Sequence, residues 1–308
     1  MNYLVALTAL GGRDALSLGR MLARTGDVTL TVCVVVPQTW DYPTPARVDA
    51  EYAAFLNQYV DDAIAEAREY LGDEVRAEYT STSTSSASEG FIAMATETGA
   101  AIIALGSARH GPLGRFTVGG IANEMLHVSP VPVALAPRGY RPSSETRLRR
   151  VTCAFSGSTL SQSAFDAAVQ LSSRHGVSLR LTTFAVRDRQ MYPSQVGYDA
   201  ERLVAEQWRA QALEAQEKAL ATLPEVAVEA GIIEGRDWEE ALDSLPWEEG
   251  EVLVVGSSRL GPIARVFLGS NSTKIVRSSP VPVLVIPRSA DVRLQDSAPA
   301  ARNLEREQ

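Results

Sequence analysis

The strongest constraint on this chain is that it contains one long stretch twice. Residues 101–137 read AIIALGSARHGPLGRFTVGGIANEMLHVSPVPVALAP, and residues 251–287 read EVLVVGSSRLGPIARVFLGSNSTKIVRSSPVPVLVIP. A shift of 150 positions, with no gap, lays Gly106 on Gly256, Ser107 on Ser257, Arg109 on Arg259, Gly111 on Gly261, Arg115 on Arg265 and Gly119 on Gly269. The same shift lays Ser129-Pro130-Val131-Pro132-Val133 on Ser279-Pro280-Val281-Pro282-Val283. Such a period is the size of a domain and far too long for a solenoid. With 308 residues the chain has room for two such domains.

Each copy alternates strand-like and helix-like runs. In the first, strands are expected at 3–8, 28–36 and 74–82, with helices over about 14–24, 50–71 and 88–98 ahead of the glycine-bearing stretch. The second repeats this with strands at 150–155, 177–186 and near 225–233, and helices over about 160–173, 199–222 and 237–245. Run 28–36 (VTLTVCVVV) is apolar almost throughout, as in a strand buried on both faces. Strands alternating with helices give a parallel sheet covered on both sides. The expected fold is therefore α/β, two doubly wound parallel-sheet domains in tandem over 1–138 and 149–288. Segment 138–149, polar and rich in Arg, reads as the connection, and 289–308, charged and without a core pattern, as a disordered tail. Prolines 130, 132, 280 and 282 lack the N–H that a central ladder needs, so the last strand of each copy is expected at an edge.

Several function classes drop out. A net charge of −8 disfavours nucleic acid as the main partner, since phosphate contacts need clustered Lys and Arg. Cys33 and Cys153 lie inside apolar runs and give neither a disulfide framework nor a zinc pattern, which suits a reducing compartment. Met1 leads straight into the first apolar run, and no run is long enough to span a bilayer. A cytoplasmic protein without membrane insertion is expected. His110, His127 and His175 are scattered, and the Glu239-Glu240 and Glu248-Glu249 pairs read as solvated faces. No catalytic or metal set is visible, so binding rather than enzymatic turnover is expected.

The glycine loops are where binding belongs. Gly256 follows the apolar run Val252 to Val255, and Gly269-Ser270 opens a helical run. Glycines between a strand end and a helix start let backbone N–H groups approach an anion, whose charge the helix dipole favours. Ser270, Asn271, Ser272 and Thr273 add polar side chains at that start, although Ser270 can also serve simply as an N-cap. Arg259 and Arg265 can pair with phosphate or equally with a nearby carboxylate. In a doubly wound sheet the loops after the first and fourth strands meet at one end, which brings Phe155-Ser156-Gly157-Ser158 to the same place.

These pieces together resemble the universal stress protein family: a short first strand, a Gly-Ser turn at Gly157-Ser158, a glycine loop, Gly269-Ser270 opening a helix, and a final Ser-Pro-Val-Pro-Val-Leu-Val-Ile-Pro. The resemblance implies a Rossmann-like fold related to the adenine nucleotide alpha hydrolases, and a stress-response or regulatory role. It also implies ATP, with magnesium as its companion, held by phosphate and ribose in the loop. Family members that bind nucleotide carry a glycine, two residues, a second glycine, nine residues, then Gly-Ser or Gly-Thr. Carried across, Gly256, Gly269 and Ser270 match. Arg259 stands at the second glycine, with Gly261 as a partial substitute, and Ser156 stands where the family has an Asp near adenine. The implied set is Ser156, Gly157, Gly256, Ser257, Arg259, Gly261, Gly269, Ser270, Asn271 and Ser272. The first copy departs further, with Gly120-Ile121-Ala122 lacking the hydroxyls. The resemblance implies that the last strands of two domains pair; here that pairing can form within the chain as a pseudo-dimer, and association of two chains is compatible with it. The alternative reading is a nucleotide-free scaffold that presents a surface to a protein partner. A second enzyme resemblance, Phe155 to Ser161 to the Ser-Gly-Gly-x-Asp-Ser loop of ATP pyrophosphatases, fails at Ser158 and Leu160.

Overall fold

The computed structural model of the protein describes residues 1–8, 12–38, 46–186, 198–223, 228–257 and 269–287. The first half runs β1 (Asn2–Leu7), α1 (Gly12–Ala23), β2 (Thr29–Pro37), α2 (Ala46–Leu71), β3 (Ala77–Thr84), α3 (Ala87–Glu97), β4 (Ala100–Gly106), α4 (Gly120–Val128) and β5 (Val133–Ala136). The second repeats it as β6 (Arg150–Ala154), α5 (Thr159–His175), β7 (Ser178–Val186), α6 (Tyr198–Leu220), β8 (Val228–Gly235), α7 (Trp238–Asp243), β9 (Glu251–Gly256), α8 (Ser270–Ser278) and β10 (Val283–Ile286). The tail expected beyond residue 288 lies outside the described residues.

All ten strands form one sheet in the order β3-β2-β1-β4-β5-β10-β9-β6-β7-β8. Pairing inside each half is parallel throughout. The halves meet through β5 and β10, which run antiparallel with Val133 opposite Val285, Ala134 opposite Leu284 and Leu135 opposite Val283. Ala134 and Leu284 are duplicates of one another under the shift of 150, so a local twofold axis passes between them. The join is an isologous interface built inside one chain. The expectation of edge strands is corrected here: β5 and β10 are outermost within their own halves but central in the sheet. The prolines do not prevent this because they precede the ladder. Pro132 and Pro282 contribute only their carbonyls, to the amides of Ile103 (3.0 Å) and Leu253 (2.9 Å).

Strand alternation divides the core into two layers. Tyr3, Val5 and Leu7 face α1, and with Met21, Phe165 and Leu171 fill the layer under α1, α2, α5 and α6. Leu4 and Ala6 point the other way, into a layer with Phe91, Met125, Leu242 and Ile275 from α3, α4, α7 and α8. Both layers run across the join, so the halves share their cores.

Residues 138–149 are pinned against both halves. Asp14, buried in the first turn of α1, accepts from the amide of Gly139 (3.2 Å) and from Arg141 (2.5 Å). Leu148 donates its amide to Thr25 (2.8 Å), and Glu249 accepts from the Ser143 amide (2.7 Å) and the Thr146 hydroxyl (2.6 Å). His175 at the end of α5 adds a second bridge. Its Nδ1 faces the Thr25 carbonyl, a contact that requires Nδ1–H, so Nε2 accepts from the Tyr3 hydroxyl at 3.0 Å. Burial, first of all, holds the His175 pKa below the usual value.

A charged cluster occupies the amino ends of β6, β7 and β9. Glu251, whose side chain has no solvent exposure, receives hydrogen bonds from Arg180, Thr152, Arg150 (2.9 Å) and the amide of Glu248 (3.1 Å). The Trp247 ring covers the Arg180 guanidinium at 5.3 Å. Ala101 stands at the position of Glu251 in the first half. Removing one partner of a buried pair strands the other charge, so Glu251→Ala should lower the unfolding free energy by about 3–5 kcal/mol, read by urea denaturation. His175 gives a pH dependence. A depressed folded pKa means that the unfolded chain binds more protons, so its contribution is complete above the ordinary value of 6.5 and is lost as pH falls towards the lowered one. Stability should fall as the pH drops below about 6.5, and His175→Gln should flatten that part of the profile.

Candidate functional site

In the second half the strand order reverses between β6 and β9, the place where the loops after strands separate and leave a crevice. A cavity of about 470 Å³ opens there, at the carboxyl ends of β6, β7 and β9. Ser156 and Ser158 reach it from the turn after β6, Gly256 and Ser257 from the end of β9, and Gly269, Ser270, Asn271 and Ser272 from the start of α8. Gly269 is the N-cap of α8 and offers no side-chain cap, so the first amides of that helix are left for another acceptor. Seven of the ten residues singled out in the sequence thus come together. Arg259 and Gly261 lie outside the described residues.

Gly157 is the one described member that does not line the cavity. Its φ of +71° makes the turn after β6, and a Cβ there would stand 2.7 Å from the Cβ of Ala215 on α6. It serves the close approach of a helix. Ser158 caps α5, accepting from the Ser161 amide (3.4 Å), and its hydroxyl is 2.8 Å from that of Ser156. Ser272 donates its hydroxyl proton to the Gly256 carbonyl (2.7 Å), which ties the start of α8 to the end of β9. Ser257 Oγ is buried without a hydrogen-bond partner among the described residues.

Sequence reasoning missed the apolar wall. Phe184 at the end of β7 and Trp238 opening α7 both line the cavity, with ring centroids 5.9 Å apart and planes tilted by 50°. Ala154, Val255 and Ile275 complete that side. The signal was present as an aromatic at the end of a buried strand and another just after the N-cap Asp237, but neither belongs to a motif. Among the described residues no group of His, Cys, Asp or Glu is arranged to hold a metal ion.

The equivalent loop of the first half is spent on structure. Ser107 Oγ accepts from the Thr117 amide (2.8 Å), and Ala108 donates to the Thr117 carbonyl (3.1 Å). Phe116 is buried among the α3 and α4 side chains. A Cβ on Gly111 would fall 1.9 Å from Thr117 Oγ1, so this glycine is needed for the fold-back. Arg115 reaches across the join and donates to both carboxylate oxygens of Asp243 on α7, at 2.8 and 2.9 Å. Of the two roles open to its duplicate Arg265, Arg115 takes the carboxylate. α4 begins at Gly119-Gly120 with no hydroxyl beside it.

A side chain at Gly157 meets two penalties, a left-handed backbone and the wall of α6. Gly157→Ala should therefore destabilise the protein by about 2–3 kcal/mol in denaturant titration, whatever the cavity binds.

Residues 4–137 and again 147–287 match the universal stress protein family. A universal stress protein of Mycobacterium tuberculosis is 41% identical over 280 residues, covering 90% of this chain and 96% of that protein; one from Mycobacterium bovis matches equally. A single-copy relative from Thermus aquaticus is 29% identical over 140 residues, which is 45% of this chain and 98% of that protein. Among solved structures, a universal stress protein from Archaeoglobus fulgidus superposes with a TM-score of 0.57 at 17% identity, covering 93% of this chain and 98% of that one. At that identity the likeness speaks for the fold. With the family matched once in each half, and a relative of the same double length aligned end to end, the chain belongs to the universal stress protein family as a tandem of two of its domains.

Proposed function

We propose that the protein is a stress-response regulator that binds an adenine nucleotide, ATP in the first instance, in the cavity of its second half. The observation that carries this reading is the meeting of two kinds of surface in one cavity. The uncapped start of α8, with Ser270 beside it, suits phosphate. The Phe184–Trp238 pair, a short distance along the same wall, suits a base. The buried Ser257 hydroxyl, without a partner among the described residues, fits a site that expects a polar guest. Ser272 has already committed its proton to Gly256, so the phosphate would be held by the α8 amides and Ser270. Magnesium, if it accompanies the nucleotide, would be held through the phosphates.

The role proposed is sensing rather than turnover. Among the described lining residues there is no His, Asp or Glu to serve as general base. Nucleotide at the start of α8 would change the surface seen by a protein partner. Ser156, at the place of the family's Asp, and the structurally committed loop of the first half favour the second reading, a scaffold that works without nucleotide.

Calorimetry on nucleotide-stripped protein with ATP and magnesium decides between them. One site per chain is expected. Gly269→Val, which crowds the phosphate position, should abolish the heat, and Ser270→Ala should weaken binding several-fold. Trp238→Ala should weaken ATP by about tenfold, as expected for loss of a base–aromatic stack of 1–3 kcal/mol, but leave inorganic triphosphate unchanged. No heat at millimolar ATP would favour the scaffold.

A further inference from the structure

The helix that carries one wall of the second-half cavity is too short to hold itself in place. α7 has only six residues, Trp238–Asp243, and a helix of that length has no stability of its own in water. Its position is set by what grips it. At its start, Asp237 accepts from the Glu240 amide (2.9 Å). Underneath, Ala241 and Leu242 are buried, and Gly235 at the end of β8 passes so close that a Cβ there would stand 2.7 Å from that of Ala241. At its end, the Leu242 carbonyl accepts from the Trp247 indole (2.6 Å). Glu239 and Asp243 lie one turn apart on the same side of the helix, and there the grip comes from the first half. Arg115 Nη2 donates to both Asp243 oxygens and lies 3.9 Å from Glu239.

Arg115 is itself held before it reaches α7. Its carbonyl accepts from the Arg138 amide (2.9 Å), the Gly114 amide donates to the Arg138 carbonyl (2.9 Å), and Phe116 beside it is buried. These contacts fix residues 114–116 against the end of β5. The Arg115 side chain keeps only 21% of its exposure, so water screens the pair incompletely. The contact is also one-sided. Under the shift of 150, α3 carries Ala93 where α7 carries Asp243, so the duplicated ion pair cannot be made in the other direction.

Trp238 stands at the other end of this short helix, packed on Phe184 in the cavity wall. A helix of fewer than two turns moves as one piece, so a hold on Asp243 is a hold on Trp238. We propose that Arg115 is a positioning residue through which the first half sets the aromatic wall of the second-half cavity. A loop of one half thereby tunes how well the other half receives a base. The effect on affinity rests on the nucleotide reading of that cavity; the effect on Trp238 does not.

The test uses the full chain, with indole N–H signals followed by NMR and with ATP and inorganic triphosphate titrated by calorimetry. Asp243→Asn removes the charge pair at nearly constant shape, and Arg115→Ala removes the arm. Both should shift the Trp238 signal and leave that of Trp208, on α6 in the other layer, in place. Both should weaken ATP by about threefold, the reach of a partly exposed ion pair, and leave triphosphate unchanged. Arg115→Glu combined with Asp243→Arg should recover the Trp238 signal and the ATP affinity, which a general loss of stability would not allow. A Trp238 signal unmoved in both single variants, equal loss of ATP and triphosphate, or no recovery in the charge swap would each overturn the proposal. If the wild-type chain binds no ATP, the nucleotide reading fails, and the Trp238 signal alone decides whether Arg115 positions the wall.

Discussion

Everything else in this molecule depends on three residue pairs between β5 and β10. Parallel strands need helical crossovers, so each half can only grow its sheet by winding outward, and it ends on a strand with one unpaired side. The antiparallel contact of Val133, Ala134 and Leu135 with Val285, Leu284 and Val283 satisfies both unpaired sides at once. It also joins two half-cores into layers that pass beneath it, which is why Tyr3 of the first strand and His175 of the second half can touch. The connecting segment, Asp14 and Glu249 then have a fixed surface to bind.

The duplication made most of the fold legible before any coordinates. Two copies of one pattern reinforce each other, and most helices and strands fall within a few residues of where periodicity places them. The last strands pair with each other inside the chain, as the family resemblance implies, and Pro132 and Pro282 stand just ahead of the ladder, so their missing N–H groups do not interrupt it. The charged cluster of Glu251, Arg180 and Arg150 was invisible for a different reason. A glutamate at the start of a strand reads as a solvated end, and only the neighbouring strands show that it is enclosed.

The candidate site was legible in its polar half and not in its apolar half. Glycines and hydroxyls at a helix start are a local signature, so Gly256, Gly269 and Ser270 could be found by spacing. Phe184 and Trp238 are brought together from β7 and α7, some fifty residues apart in sequence, and nothing local marks either one. Gly157 shows the converse: it carries the family's turn, yet its lack of a side chain is used against Ala215. One glycine loop is folded on itself and sends Arg115 to Asp243, while the other half keeps an open cavity beside α8.

The covalent connection changes what the β5–β10 contact means thermodynamically. Between separate chains such a contact obeys mass action and weakens on dilution. Within one chain its partner is held at a fixed effective concentration, about millimolar or above for a short link, so the joined sheet persists however scarce the protein becomes. It also guarantees that the two unlike halves always meet each other, in a fixed ratio of one to one, and never a copy of themselves by default. A molecule built this way can let its two units diverge without losing the symmetric seam that holds them together.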